Sequence, residues 1–175
     1  MFLDEDIKIA GDRPSLDVKK NLSEQTSEKP HSDEVYNNAK LWGVLVADEF
    51  LKESEQECQD FNMLIQKRLL LSFTATIGFE TYCSDDSLCG VAQKSFIDRI
   101  KTVNSEIYKT SSDTGAFSFY YLAFRRGGDI ERRVGQTFAM LCSHDGDPVY
   151  QELGEAVYCW FLSVVKKYAL QLNIN

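Results

Sequence analysis

Residues 69–79 read LLLSFTATIGF, a run without a single charge. A segment this apolar has to be enclosed, so the rest of the chain must supply the elements that enclose it. Its secondary structure has two readings. Leu71, Phe73, Ala75, Ile77 and Phe79 alternate with Ser72, Thr74, Thr76, Gly78 and Glu80, which is the period of a strand. Yet no turn residue separates this run from the stretch Ile65 to Leu69 ahead of it. A helix from about Glu55 to Tyr82 covers both, beginning polar and becoming apolar nearly all round.

The neighbouring segments are helical in pattern. Val35, Ala39, Trp42, Val46 and Phe50 recur at spacings of three and four, behind a cap at Ser32 or Asp33. Ala92, Phe96, Ile100, Val103 and Ile107 form a second stripe, with Lys94, Asp98, Lys101 and Asn104 opposite. Ala116 to Arg126 is rich in aromatic residues and reads as a short buried helix, with a strand as its alternative. Ile130, Val134, Phe138 and Leu141 define the next helix. Asp147 and Pro148 then combine a capping carboxylate with proline at the first helical position. Leu153, Val157, Trp160, Val164 and Tyr168 carry the last helix almost to the C-terminus.

The fold expected is all-α: a compact bundle of about six helices, antiparallel where the connections are short. Their apolar faces turn inward, chiefly through Trp42, Phe96, Phe138 and Trp160. Strands at 71–79 and 117–125 would make it α+β instead. Residues 1–33 differ from the rest. They hold Pro14 and Pro30, and too few apolar residues for a core. They read as a polar arm, flexible or docked, ahead of one helical domain at 34–175.

The formal net charge of −8 argues against nucleic acid or an anionic membrane as partner, since either needs a basic face. No signal peptide is expected at Met1, since Asp4, Glu5 and Asp6 come at once. The five cysteines, Cys58, Cys83, Cys89, Cys142 and Cys159, are odd in number and irregularly spaced. They read as reduced, mostly buried thiols of a cytoplasmic protein.

One basic stretch stands out. Residues 123–133 read AFRRGGDIERR and hold Arg125, Arg126, Arg132 and Arg133 around Gly127 and Gly128. As a helix corner, Gly127 takes a left-handed conformation and Asp129 caps the next helix, leaving Arg125 and Arg126 at a C-terminus that favours cations. Arg132 and Arg133 then meet a macrodipole that disfavours them by roughly 0.3–1 kcal/mol each. Pairing with Asp129 offsets about 0.2–0.5 kcal/mol per pair. As a binding loop, the same four guanidiniums and a glycine-rich helix start would clamp a phosphate or carboxylate, against the opposing charge of Asp129 and Glu131. His144 could join such a site. Its neighbour Cys142 does not face it, so a thiol–imidazole pair is not expected. No spacing calls for a metal or a cofactor. The chain therefore reads as a small helical interaction module without catalytic activity, its partner another protein or a second copy of itself. The alternative is a binding protein or enzyme for a small anionic ligand held at Arg125–Arg133.

Overall fold

Six side chains set where helices begin. In the computed structural model, which describes residues 33–55 and 60–174, Asp60 accepts hydrogen bonds from the amides of Asn62 and Met63 and opens α2 (Phe61–Tyr82). Asp85 does the same for α3 (Asp86–Val103), Asn104 for α4 (Ser105–Thr110) and Asp113 for α5 (Thr114–Arg125). Asp129 caps α6 (Ile130–Leu141), and Asp147, followed by Pro148, caps α7 (Pro148–Gln171). Each such cap is worth about 1 kcal/mol. The first helix, α1, spans Asp33–Ser54. Among the described residues there are seven helices and no strand, so the all-α reading holds and 71–79 and 117–125 both lie in helices.

The strand-like alternation at 71–79 has a physical resolution. Thr74 donates its hydroxyl to the Leu70 carbonyl at 2.8 Å, and Thr76 bonds the Ser72 carbonyl at 3.1 Å. The threonine hydroxyls are thus satisfied one turn back along their own helix and need no partner across a sheet. The chain ahead of α2 differs from the expected continuous helix, since Asp60 starts a new one at Phe61. The seventh helix has a similar origin. Asn104, read as part of a polar face, leaves helical geometry at φ −150° and ψ 96° and caps α4, so the stripe through Ile107 breaks there. The expected arm, His31 and Cys58 lie outside the described residues, and Asp33 opens α1.

Two apolar cores share α2. Leu71, Ala75 and Phe79 face Trp42, Val46 and Phe50 of α1, Phe96 of α3, and Phe161 and Val165 of α7. Leu70, Phe73 and Ile77 face Tyr120 of α5, Val134 and Phe138 of α6, and Tyr158 of α7. Each large side chain fully enclosed this way contributes roughly 1.5–3 kcal/mol. Trp42 is fixed further: its indole donates to the Val165 carbonyl at 3.0 Å, and its ring meets Phe79 edge-on at 4.7 Å. Arg68 of α2 secures the end of α1 by donating to the Ser54 carbonyl at 2.8 Å, a cation at a helix C-terminus.

Glycines set how closely the helices cross. A Cβ on Gly43 of α1 would strike the Ala92 carbonyl of α3. One on Gly78 of α2 would lie 2.7 Å from Val165 of α7, and one on Gly154 of α7 would lie 2.6 Å from Cβ of Phe138 in α6. Gly135 of α6 meets the Gln151 carbonyl of α7 in the same manner. This contact corrects part of the expected inward face of α7: Val157, Val164 and Tyr168 do pack against the first core, whereas Leu153 and Trp160 are exposed. With Gly154 against α6, the buried positions are Tyr158, Phe161, Val165 and Ala169. Trp160 is turned out and is 40% exposed, as Leu153 is 39% exposed. Trp42, Phe96 and Phe138 do face inward.

Adding one methyl group separates the two kinds of glycine. Gly135→Ala forces α6 and α7 apart and should cost about 1–3 kcal/mol. Gly90, with open space around its Cβ direction on α3, should gain roughly 0.5–1 kcal/mol as Gly90→Ala. Denaturant unfolding of the two variants measures both, and opposite signs are expected.

Candidate functional site: the groove between α5 and α6

The arginine corner is first a helix junction. Arg126 ends α5, and Gly127 and Gly128 follow with φ of 64° and 72°, a region that favours glycine. The Asp129 carboxylate accepts from the Arg132 amide at 3.1 Å. A negative charge thus already occupies the amide cradle at the start of α6, where a phosphate would otherwise sit. The expected pairing of Asp129 with the Arg132 and Arg133 side chains is absent. None of the four arginines forms an ion pair among the described residues.

Above this junction the facing sides of α5 and α6 form a groove of about 370 Å³. From α5 and its C-cap come Phe119, Leu122 and Arg126, spaced by three and four residues so that they share one face. From α6 come Arg133, Thr137 and Met140, with the same kind of spacing. Phe119 is 49% exposed, Leu122 54% and Met140 40%. The remainder of α5 explains the orientation: Ala116, Tyr120 and Ala123 are buried, which pushes Phe119 and Leu122 out to the rim. The groove therefore has an apolar length and a cationic end, with Asp145 as its one acidic lining residue.

Of the residues singled out from sequence, Arg126 and Arg133 come together here, while Arg125 and Arg132 are exposed outside the lining. His144 is not in the lining. Its ring lies flat on Tyr150, with centroids 3.8 Å apart and planes 9° from parallel. Cys142 is buried in the second core. The sequence reading placed 116–126 in a buried helix, whereas Phe119 and Leu122 of that helix, and Met140 of α6, are exposed. The signal was their register with Arg126 and Arg133 on the two helices, which a reading of aromatic residues as core overlooks.

Among the described residues, no group of three histidine, cysteine or acidic side chains converges for a metal. No disulfide joins Cys83, Cys89, Cys142 or Cys159 among the described residues. Burial pushes Cys89 up to about 11 and Tyr158 up to about 12, so both favour their neutral forms. The Tyr120 hydroxyl is enclosed with no hydrogen-bond partner among the described residues, and burial raises its titration well above the usual range. No helix among the described residues is long and apolar enough to cross a membrane.

No family model matches this chain, and neither a curated protein nor a solved structure matches it.

Groups whose titration is raised on folding stabilise the protein fully at pH values below their unfolded pKa and lose that contribution as pH climbs through the folded value. For Cys89 and Tyr158 the window runs from about 9 to about 12. The denaturation midpoint should therefore stay flat from pH 7 to about 8.5 and fall steadily above it, as followed by urea unfolding at stepped pH.

Proposed function

We propose that this chain is a protein-interaction module whose α5–α6 groove receives an acidic, amphipathic helical segment of a partner. One observation carries the reading. Exposed Phe119, Leu122 and Met140 share a concavity with Arg126 and Arg133, and neither arginine has an ion-pair partner among the described residues. From Phe119 to Arg126 the groove runs about two helical turns, roughly 10 Å. That length suits a partner helix presenting apolar residues at i, i+3 or i+4, with a carboxylate at the end that meets the two guanidiniums. On a chain of net charge −8, these cations supply local selectivity for acid. Cytoplasmic residence fits the lack of a disulfide among the four described cysteines.

A free small anion is the less favoured occupant, because Phe119, Leu122 and Met140 make much of the groove wall apolar, Asp145 lines it, and Asp129 fills the nearby amide cradle. The test is fluorescence anisotropy with a labelled helical peptide carrying leucines on one face and glutamates at one end. It should bind, whereas the same peptide with lysines in place of the glutamates should not. Leu122→Asp, and separately Arg126→Glu with Arg133→Glu, should each weaken binding at least about tenfold while the melting temperature is retained. Binding of citrate with no binding of the peptide would favour the anion. If neither binds, the groove is not the functional site.

A further inference from the structure

A second cavity, of about 400 Å³, lies on another side of α5. Helices α3 and α4 on one side and α5 on the other all pack on α2, and the cavity sits between them. It falls at the seam of the two cores: Phe79, Phe96 and Ile100 in its wall belong to the first, and Phe117 and Tyr121 pack on the second. Its size is at the lower end of the range that holds drug-sized molecules.

The chemistry of the wall selects the occupant. No lining residue is charged. The polar atoms are hydroxyls of serine, threonine and tyrosine and the amide of Gln93. Several of these have already committed their hydrogens. Thr76 donates to the Ser72 carbonyl, Ser111 and Ser112 donate to the Tyr108 carbonyl, and the Gln93 amide nitrogen donates to the Cys89 sulfur at 3.5 Å. The three hydroxyls keep acceptor capacity only, and the Gln93 amide keeps its carbonyl oxygen and one N–H, all beside aromatic rings. An ion of either sign would lose its hydration here without a countercharge.

We propose that this seam is a binding site for an uncharged, mainly apolar small molecule that carries one hydrogen-bond donor. Such a ligand bridges the two cores and stabilises their packing on α2.

N-phenyl-1-naphthylamine has these features: two aryl groups, one N–H and no charge. Titrating it should give a saturable fluorescence rise with one site per chain, and it should raise the melting temperature. Its sulfonated relative, 1-anilinonaphthalene-8-sulfonate, should bind at least tenfold more weakly. Ser72→Leu fills the cavity, and Ile97→Asp places a charge at its mouth, where Ile97 is 39% exposed. Each should lower affinity for the uncharged probe at least tenfold, and the exposed position keeps the test valid if the filled variant fails to fold. Leu122→Asp, in the α5–α6 groove, should leave the probe unaffected, so the two sites are tested separately. The inference is overturned by non-saturable binding, by equal affinity for the sulfonate, or by loss of binding in Leu122→Asp with none in Ile97→Asp.

A different observation carries a second proposal. Along the outer side of α7, Val149, Leu153, Ala156 and Trp160 are exposed in sequence, followed by Ser163, Lys167 and Leu170 at the same three-and-four spacing. Glu152 borders the first half and Lys167 lies in the second. We infer that this face pairs with a second copy of the chain, antiparallel, with the two-fold axis beside Trp160. That register sets Glu152 opposite the partner's Lys167 and Val149 opposite the partner's Leu170, each contact occurring twice. A parallel pairing would oppose like charges instead. Analytical ultracentrifugation should find a concentration-dependent dimer, and Trp160→Asp should leave only monomer. Glu152→Lys alone and Lys167→Glu alone should each be mainly monomeric, whereas an equal mixture of the two should dimerise through restored pairs. A wild-type chain that stays monomeric at several hundred micromolar, or a mixture no more dimeric than its components, would sink the inference.

Discussion

Helix α2 has almost no side that can face water between Leu69 and Phe79, and the other helices are arranged by that need. Leu71, Ala75 and Phe79 require one cover, and Leu70, Phe73 and Ile77 require another. Helices α1 and α3 supply the first and α5 and α6 the second, with α7 reaching both. A two-sided central helix of this kind produces two cores rather than one. It also produces a seam where their covers meet, and the cavity beside Phe79, Phe117 and Tyr121 is that seam.

Close approach then decides what faces outward. At Gly43, Gly78, Gly135 and Gly154 the helices come near enough that a methyl group would collide with backbone or with a packed side chain. An α7 that is apolar around most of its circumference could rest on α6 in several rotations. The paired approach of Gly135 and Gly154 selects one of them, and Trp160 and Leu153 are left outside as a consequence. The same logic applies to α5, where the depth of Tyr120 in the second core turns Phe119 and Leu122 toward solvent.

The arginine corner shows how a local rule and a surface property coexist. Its glycines and Asp129 do what helix ends require, and that accounts for Gly127, Gly128 and the capped Arg132 amide. Nothing in that local geometry consumes the guanidiniums of Arg126 and Arg133. They remain at the end of an apolar groove because α5 and α6 form a tight helical hairpin, with residues 119–126 facing 133–140.

The legible part of the structure was whatever depends on near neighbours in the chain. Capping at Asp129 and Asp147, the left-handed Gly127 and the helical stripes through Trp42, Phe96 and Phe138 follow from spacings of three or four residues and from one carboxylate reaching its own backbone. Those interactions carry their partners with them, so sequence alone determines them. The outward rotation of Trp160, the exposure of Phe119 and Leu122, the separation of His144 from the arginines and the cavity at the seam were decided only in three dimensions. Each depends on which of several apolar faces another helix covers. That choice is made by contacts such as Gly154 on Phe138, between residues whose nearness no local spacing expresses.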